Sequence, residues 1–303
     1  MIEDITSETA ICAVFGFPVK HSASPIFQNA GIKALGLNWR YLAFEVRPEE
    51  LSAALLGARA MRFIGINLTL PHKQLALKLM DVLDESAVKW GAVNTIRFEG
   101  LHHNQWIPLG QASGNSFEKV RLVGFNTDAD AIVSAIQEDF NISVQGKRIL
   151  ILGAGGAGRT AALKLAESNV DSLWLVNRTE SKAVELAQEI CQKYKSVKVC
   201  VGYPTSDIDL TINATSSGLK PEDPLPLDLA KFSLRQTKYA FDMIYKPQAT
   251  KFLIYAKESG CITANGTTML LHQGAKALEL WSNLKPPVNL MRSELIHYLQ
   301  TNK

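Results

Sequence analysis

The segment KRILILGAGGAG, residues 147–158, constrains the fold of this 303-residue chain more tightly than any other feature. A short apolar run passes into G-x-G-x-x-G and then into a stretch of helical periodicity over 157–168. In a strand–turn–helix unit the three glycines have separate tasks. Gly153 allows the tight turn, Gly155 lets a pyrophosphate approach the backbone, and Gly158 permits close helix–strand contact. The phosphates then meet the positive end of the helix, so Gly153, Ala154, Gly155, Gly156 and Ala157 are expected to line a dinucleotide site. A glycine-rich turn without a ligand shares the bare pattern, and it is the flanking strand and helix that favour binding.

The strand that follows bears on the cofactor. An NAD site places an acid there, roughly 20 residues on, for the ribose 2′-hydroxyl. This chain has Asn177, Arg178 and Thr179, with Lys182 behind them. A guanidinium suits a 2′-phosphate through planar, charge-assisted hydrogen bonds, which points to NADP; a solvated surface arginine would give the same letters.

Strands are expected at 12–16, 39–46, 64–70 and 93–98, alternating with helices at 25–35, 51–59 and 74–83. After Asn126 come a helix at 129–139, strands at 148–152 and 173–176, and helices at 157–168 and 181–193. Strands ending at Asn213 and spanning 239–244 follow, and helices at 267–281 and 288–300 close the chain. This alternation predicts parallel pairing and an α/β architecture of two α/β domains. One is formed by 1–125 with 267–303, the other by 126–266 as a Rossmann-like, doubly wound dinucleotide-binding domain. Residues 99–121, with His102, His103 and the string GQASGNS, read as a long surface loop.

Charge and cysteine usage remove several classes of function. With 32 basic and 29 acidic side chains the net charge is +3, too balanced for a nucleic-acid surface. No apolar run approaches the roughly 20 residues that span a bilayer. Cys12, Cys191, Cys200 and Cys261 are scattered, with no C-x-x-C pair and no histidine at ligand spacing, so no metal site and reduced thiols are expected. The opening MIED is acidic and lacks the charged-then-apolar order of a secretory leader. A cytoplasmic protein acting on a small molecule is the expectation, without nucleic-acid or membrane partners. Nothing in the sequence specifies an oligomeric state.

Nine segments then read together: GFPVKHSASP (16–25), NLTLPHK (67–73), GAVNT (91–95), NTD (126–128), GAGGAG (153–158), NRT (177–179), NATSSG (213–218), DMIY (242–245) and MLLHQG (269–274). In identity, order and approximate spacing they resemble the shikimate dehydrogenase family over residues 11–281. The resemblance implies NADP-dependent, reversible reduction of 3-dehydroshikimate to shikimate, a step of chorismate and aromatic amino-acid biosynthesis. It makes 1–125 with 267–303 the substrate-binding catalytic domain. By the same resemblance Ser22 and Ser24 bind the substrate carboxylate, and Thr69, Asn94, Asp128 and Gln273 bond its hydroxyls. Lys73 and Asp128 form the catalytic couple that passes a proton to the C3 oxygen. Tyr245 lies near substrate, the Met243 backbone and Gly266 lie near the nicotinamide, and Glu85 is a cofactor-side acid.

The residues' own chemistry runs beside this. Ser24 before Pro25 reads as an N-cap with proline at N1, which would account for Ser24 alone but not for Ser22. Pro71 puts Lys73 in the first turn of a helix, where the dipole disfavours a cation and suits proton exchange; a solvent-facing lysine is the commoner fate. Asp128 opens a helix, so it should stay ionised and orient Lys73, although a plain capping aspartate also sits there. Gln273 falls on the apolar face of its helix with Met269, Leu270 and Ala277, and a buried amide needs partners, either a polyol or backbone.

Three departures from the family pattern stand out: Ala129 and Thr268 where glycine is common, and the long segment 99–121. The rival readings are a relative acting on quinate and a catalytically silent dinucleotide-binding regulator. The presence of both Lys73 and Asp128 argues against the second.

Overall fold

The computed structural model describes residues 5–112 and 116–301. It divides into two compact units, Met1–Thr127 with Leu271–Lys303, and Asp128–Leu270. No described helix is long and apolar enough to cross a membrane.

The first unit runs β1 (Ala10–Gly16), α1 (Ser24–Ala34), β2 (Trp39–Glu45), α2 (Leu51–Ala60), β3 (Gly65–Leu68), α3 (His72–Leu75), β4 (Val82–Leu83), α4 (Glu85–Trp90), β5 (Thr95–His102), β6 (Gln105–Pro108) and β7 (Val120–Phe125). Its sheet has the order β2-β1-β3-β5-β7-β4, with β6 beside β5. Pairing is parallel between β1 and its neighbours and between β4 and β7. It is antiparallel where β5 meets β3, β6 and β7, so the expectation of parallel pairing fails there. Antiparallel neighbours need no helical crossover between them.

The segment 99–121 is therefore not a loop. Its first part completes β5, and β6 returns along it, with His102 opposite Gln105. The two residues between, His103 and Asn104, have φ of 46° and 62°, the left-handed pair that a tight hairpin turn requires. A single 3₁₀ turn follows at Leu109–Gln111. Residues 113–115 of the expected polar loop lie outside the described residues.

The helix expected at 74–83 is also different. Only the single turn of α3 is α-helical, followed by a 3₁₀ turn at Ala76–Leu79. Long-range pairing takes the remainder: Asp81 N donates to the Leu122 carbonyl at 3.1 Å, and Asp84 N donates to the Gly124 carbonyl at 2.9 Å.

The second unit runs α5 (Asp128–Phe140), β8 (Arg148–Leu152), α6 (Gly156–Glu167), β9 (Ser172–Val176), α7 (Glu180–Lys193), β10 (Lys198–Val201), β11 (Ile208–Asn213), β12 (Thr237–Asp242), α8 (Lys251–Glu258) and β13 (Ile262–Ala264). All six strands pair in parallel, in the order β10-β9-β8-β11-β12-β13. Numbered within the unit this is 3-2-1-4-5-6, the doubly wound order whose direction reverses between its first and fourth strands. In β8 every residue after Arg148 is buried, as expected of a strand covered on both faces. Three elements carry too little periodicity to be read in advance: the short edge strands β10 and β13, and α8.

Two further helices, α9 (Thr267–Ser282) and α10 (Val288–Thr301), complete the chain. Within the first unit, Trp281 of α9 is fully buried and donates from Nε1 to the Ile96 carbonyl at 3.0 Å. Its indole lies against Gly65, where a Cβ would come within 2.1 Å of Nε1. Gln28 of α1, also fully buried, donates to the Gly274 carbonyl at 2.9 Å. The Gly65→Ala variant must displace the indole or the strand, so its urea unfolding free energy falls by roughly 1–3 kcal/mol, the usual cost of overpacking. Unchanged stability would show that this contact is not tight.

Candidate functional site

In the first unit Ser22 and Ser24 follow β1, Thr69 and Lys73 follow β3, and Asn94 directly precedes β5. The chain leaving β1 carries Ser22 and Ser24. Ser24 is buried, but it is not the N-cap of α1: Ala23 holds that position, already in helical conformation and without a capping side-chain bond. The hydroxyl that organises this turn is that of Ser22, which accepts from Ser24 N at 3.3 Å. Ser24's own hydroxyl makes no hydrogen bond among the described residues.

Thr69 follows β3 and is half-buried; its N donates to the Phe15 carbonyl at 3.0 Å. A Cβ on Gly16 would lie 2.3 Å from the Thr69 methyl, so the glycine that ends β1 makes room for this threonine. Lys73 is half-buried in α3. That helix has four residues, too few for the dipole argument, and Lys73 is placed by other contacts. Val93 N donates to the Lys73 carbonyl at 2.8 Å. The adjacent His72 is fully buried, and its Nε2–H donates to the Val46 carbonyl at 2.8 Å, leaving Nδ1 buried without a partner. Burial lowers the proton affinity of this imidazole more than the Val46 carbonyl restores it.

Asn94 is 1% exposed and doubly fixed by Thr127. Its Oδ1 accepts from Thr127 N at 2.7 Å, and its Nδ2 donates to Thr127 Oγ1 at 2.9 Å. An amide nitrogen carries a second N–H beyond the one given to Thr127. Behind it Asn67 donates to Thr95 Oγ1 at 3.0 Å and accepts from Tyr41 Oη at 2.8 Å. Glu85 is exposed at the start of α4, which Asp84 caps by accepting from Ser86 N at 2.9 Å. Gln273 is half-buried in α9 rather than buried on its apolar face; Met269 and Ala277 are the buried ones.

Thr127 is joined through one peptide bond to Asp128, the buried first residue of α5. Ala129 is fully buried, so the methyl that departs from the family pattern is accommodated.

The second unit realises the three glycine roles one by one. Gly153 has φ +108°. A Cβ on Gly158 would sit 2.0 Å from the Gly153 carbonyl oxygen, whereas a Cβ on Gly155 would meet nothing within 4 Å. Asn177 Oδ1 accepts from Ala154 N at 2.9 Å and its Nδ2 donates to the Thr179 carbonyl at 2.8 Å, so this amide secures the turn itself. Arg178, Thr179 and Lys182 are exposed. Open backbone over Gly155, a twelve-residue helix starting there, and two exposed cations beyond β9 fit a phosphorylated dinucleotide.

Beyond β12, Met243 and Tyr245 are half-buried. Gly266 packs so closely on this segment that a Cβ would lie 2.2 Å from the Met243 carbonyl oxygen. The Thr268 hydroxyl donates to Asp139 Oδ1 at 2.7 Å, which accounts for a side chain where the family pattern has glycine. Among the described residues no group of histidine, cysteine and carboxylate side chains could hold a metal ion, and the four cysteines are free.

A six-stranded sheet in this order, with an open glycine turn after its first strand, defines a dinucleotide-binding protein of the Rossmann class. Family models carry this further: the shikimate dehydrogenase substrate binding domain matches residues 14–96, shikimate / quinate 5-dehydrogenase matches 134–219, and the shikimate 5′-dehydrogenase C-terminal domain matches 266–296. The shikimate dehydrogenase (NADP(+)) of Methanopyrus kandleri is 34% identical over 303 residues, 98% of each chain. The Thermus thermophilus shikimate 5-dehydrogenase, solved in complex with NADP(H) and shikimate, superposes with a TM-score of 0.77 at 34% identity, over 95% of this chain and 99% of that one. The Corynebacterium glutamicum quinate dehydrogenase, in complex with NAD, gives the same TM-score at 26% identity, over 95% of this chain and 99% of that one. The chain belongs to the shikimate dehydrogenase family.

Because burial favours the neutral His72 ring, the unfolded chain takes up a proton there before the folded one does. The stability this contributes is complete above about pH 6.5 and is lost as the pH falls below it. Urea unfolding at about pH 7.5 and about pH 5 should show a larger acid loss for the native protein than for His72→Gln. Equal losses would mean that His72 does not titrate in this way.

Proposed function

We propose that this protein is an NADP-dependent shikimate dehydrogenase that reversibly reduces 3-dehydroshikimate to shikimate in chorismate biosynthesis. Full-length similarity to shikimate dehydrogenases supports the substrate and cofactor. The observation that carries the reading to residues is the Asn94–Thr127 pair, which holds a hydroxyl-binding amide by the backbone that leads directly into Asp128. Residues 1–125 with 267–303 take the substrate and 126–266 take NADP.

The cofactor, when bound, supplies the hydride for reduction and accepts it in the reverse direction. Ser22 and Ser24 bind the substrate carboxylate, using the free Ser24 hydroxyl. Thr69, Asn94, Asp128, Tyr245 and Gln273 position the ring and its hydroxyls. Lys73 gives its proton to the C3 oxygen during reduction and recovers it from solvent, and Asp128 remains ionised to keep the ammonium oriented. Arg178, Thr179 and Lys182 receive the 2′-phosphate. Gly153, Ala154, Gly155, Gly156 and Ala157 receive the pyrophosphate, and Asn177 acts on it through Ala154. The Met243 backbone and Gly266 flank the nicotinamide, with Glu85 on the cofactor side. Free thiols, balanced charge and a small polar substrate support a cytoplasmic enzyme without nucleic-acid or membrane partners.

Replacing Lys73 by alanine should lower kcat by about 10²–10⁴, the range of general acid–base catalysis, with KM for shikimate changed only a few-fold. Near-native turnover would remove Lys73 from the chemistry. Arg178→Ala should reduce the preference for NADP+ over NAD+, measured as a ratio of kcat/KM, by roughly ten- to a hundredfold, the worth of hydrogen bonds to a charged group. An unchanged ratio would place 2′-phosphate recognition elsewhere.

A further inference from the structure

Asp242, the last residue of β12, is fully buried and has no part in the reaction as described. Three donors meet its carboxylate. Oδ1 accepts from Asn213 Nδ2 at 3.1 Å and from Ile244 N at 3.0 Å, and Oδ2 accepts from Thr250 Oγ1 at 2.6 Å. Each donor governs a different piece of chain. Asn213 shapes the following loop by accepting from Thr215 N and Oγ1 and donating to the Ser217 carbonyl. Ile244 lies in the segment on which Gly266 packs, and its carbonyl accepts from Gly266 N at 3.1 Å. Thr250 caps α8 by accepting from Leu253 N.

We propose that Asp242, as the ionised carboxylate, is a positioning residue for the nicotinamide end of the cofactor site, holding the 213–218 loop and the Met243 backbone in their binding geometry and loosening its hold on them when it takes a proton. This inference rests on the NADP reading above. An ionised aspartate is purely an acceptor and satisfies all three donors. A proton on Oδ2 turns that oxygen into a donor facing the Thr250 hydroxyl, whose own hydrogen must then turn away. The bond to Thr250 is kept in the reverse sense, while Asn213 Nδ2 and Ile244 N are left donating to a neutral group, so the two bonds that anchor the loops lose their charge assistance.

The transition falls within reach of solution pH, because burial pushes the Asp242 carboxyl up to about 6 against the opposing pull of its three hydrogen bonds. Among the described residues its hydrogen-bond donors are all uncharged. The charged residues on the surrounding elements are Asp209 of β11, which accepts from Arg148 N, Lys238 of β12, Lys246 in the following loop, and Lys251, Lys257 and Glu258 of α8. Lys251 donates to the Asp223 carbonyl. The folded chain keeps this proton to higher pH than the unfolded chain, so the stability contributed at this site falls between about pH 4 and pH 6 and is flat above. Cofactor affinity moves in the opposite sense and rises over the upper part of that interval. This opposition separates positioning from a merely structural role.

Calorimetric titration of NADP+ into the full-length protein from about pH 5 to about pH 8, for the native chain and Asp242→Asn, tests this. The 2′-phosphate titrates near pH 6 as well, but equally for both proteins, and cancels in the ratio of their Kd values. Native affinity should exceed that of Asp242→Asn by about tenfold at the alkaline end, the effect of one charge-assisted hydrogen bond, and the ratio should approach one at the acid end. Thr250→Val should move the affinity inflection to higher pH, and Thr250→Ser should restore it; this pair carries the test if Asp242→Asn does not fold. A ratio near one at the alkaline end, a ratio independent of pH, or an inflection unmoved in Thr250→Val overturns the proposal while leaving the NADP reading intact. A native protein that binds NADP+ at no pH overturns both.

Discussion

Backbone lying directly on backbone is the constraint on which the second unit depends. The α6 helix starts so close to β8 that a methyl at Gly158 would overlap the Gly153 carbonyl. The same closeness recurs at the far side of the sheet, where Gly266 leaves no gap against Met243. Because neither contact tolerates a side chain, the amides at the head of α6 are brought to the rim of the sheet, where its strand order reverses. Gly155 lies at that rim with open space above its Cα. The anion-binding property of a helix N-terminus is thus placed where a dinucleotide can reach it.

The first unit solves a different problem, that of presenting polar groups from a buried setting. A buried amide without partners costs on the order of 1–3 kcal/mol. Here the candidate residues are held by hydrogen bonds to neighbours within the same unit. Thr127 satisfies most of Asn94, Asn67 and Tyr41 satisfy each other behind it, and the Lys73 backbone is tied to Val93. His72 adds a second tie, to Val46. Supporting contacts of this kind are what a functional site needs to hold its side chains in a narrow geometry. They also explain why the four-residue α3 can carry the lysine without help from a helix dipole.

The parts of the fold legible in the sequence are those in which spacing is set by local backbone geometry. The glycine turn, the strand before it and the helix after it could be read residue by residue. The antiparallel β5, β6 and β7 could not, because pairing between Thr95 and Phe125 leaves no local mark, and a turn made by His103 and Asn104 lacks the usual glycine. The same holds for the stretch after α3, which pairing with β7 draws out of a helical pattern. Ser24 before Pro25 has the letters of a cap, yet Ala23 holds the cap position and Ser24 is already the first residue of the helix. The resemblance gave roles to Lys73, Asp128 and Asn94, whereas Thr127, His72 and Asp242 stood in the same motifs without one. Their importance lies in partners distant along the chain, such as Asn213 for Asp242.

The proposed enzyme oxidises a ring alcohol with NADP as the hydride carrier, using Lys73 and Asp128. Steady-state oxidation of shikimate, followed by the absorbance of the reduced nicotinamide, measures this most directly with NADP+ and NAD+ supplied in turn. Turnover with NADP+ whose kcat/KM exceeds that with NAD+ by about tenfold or more is the predicted result. No turnover of shikimate with either cofactor would contradict the claim.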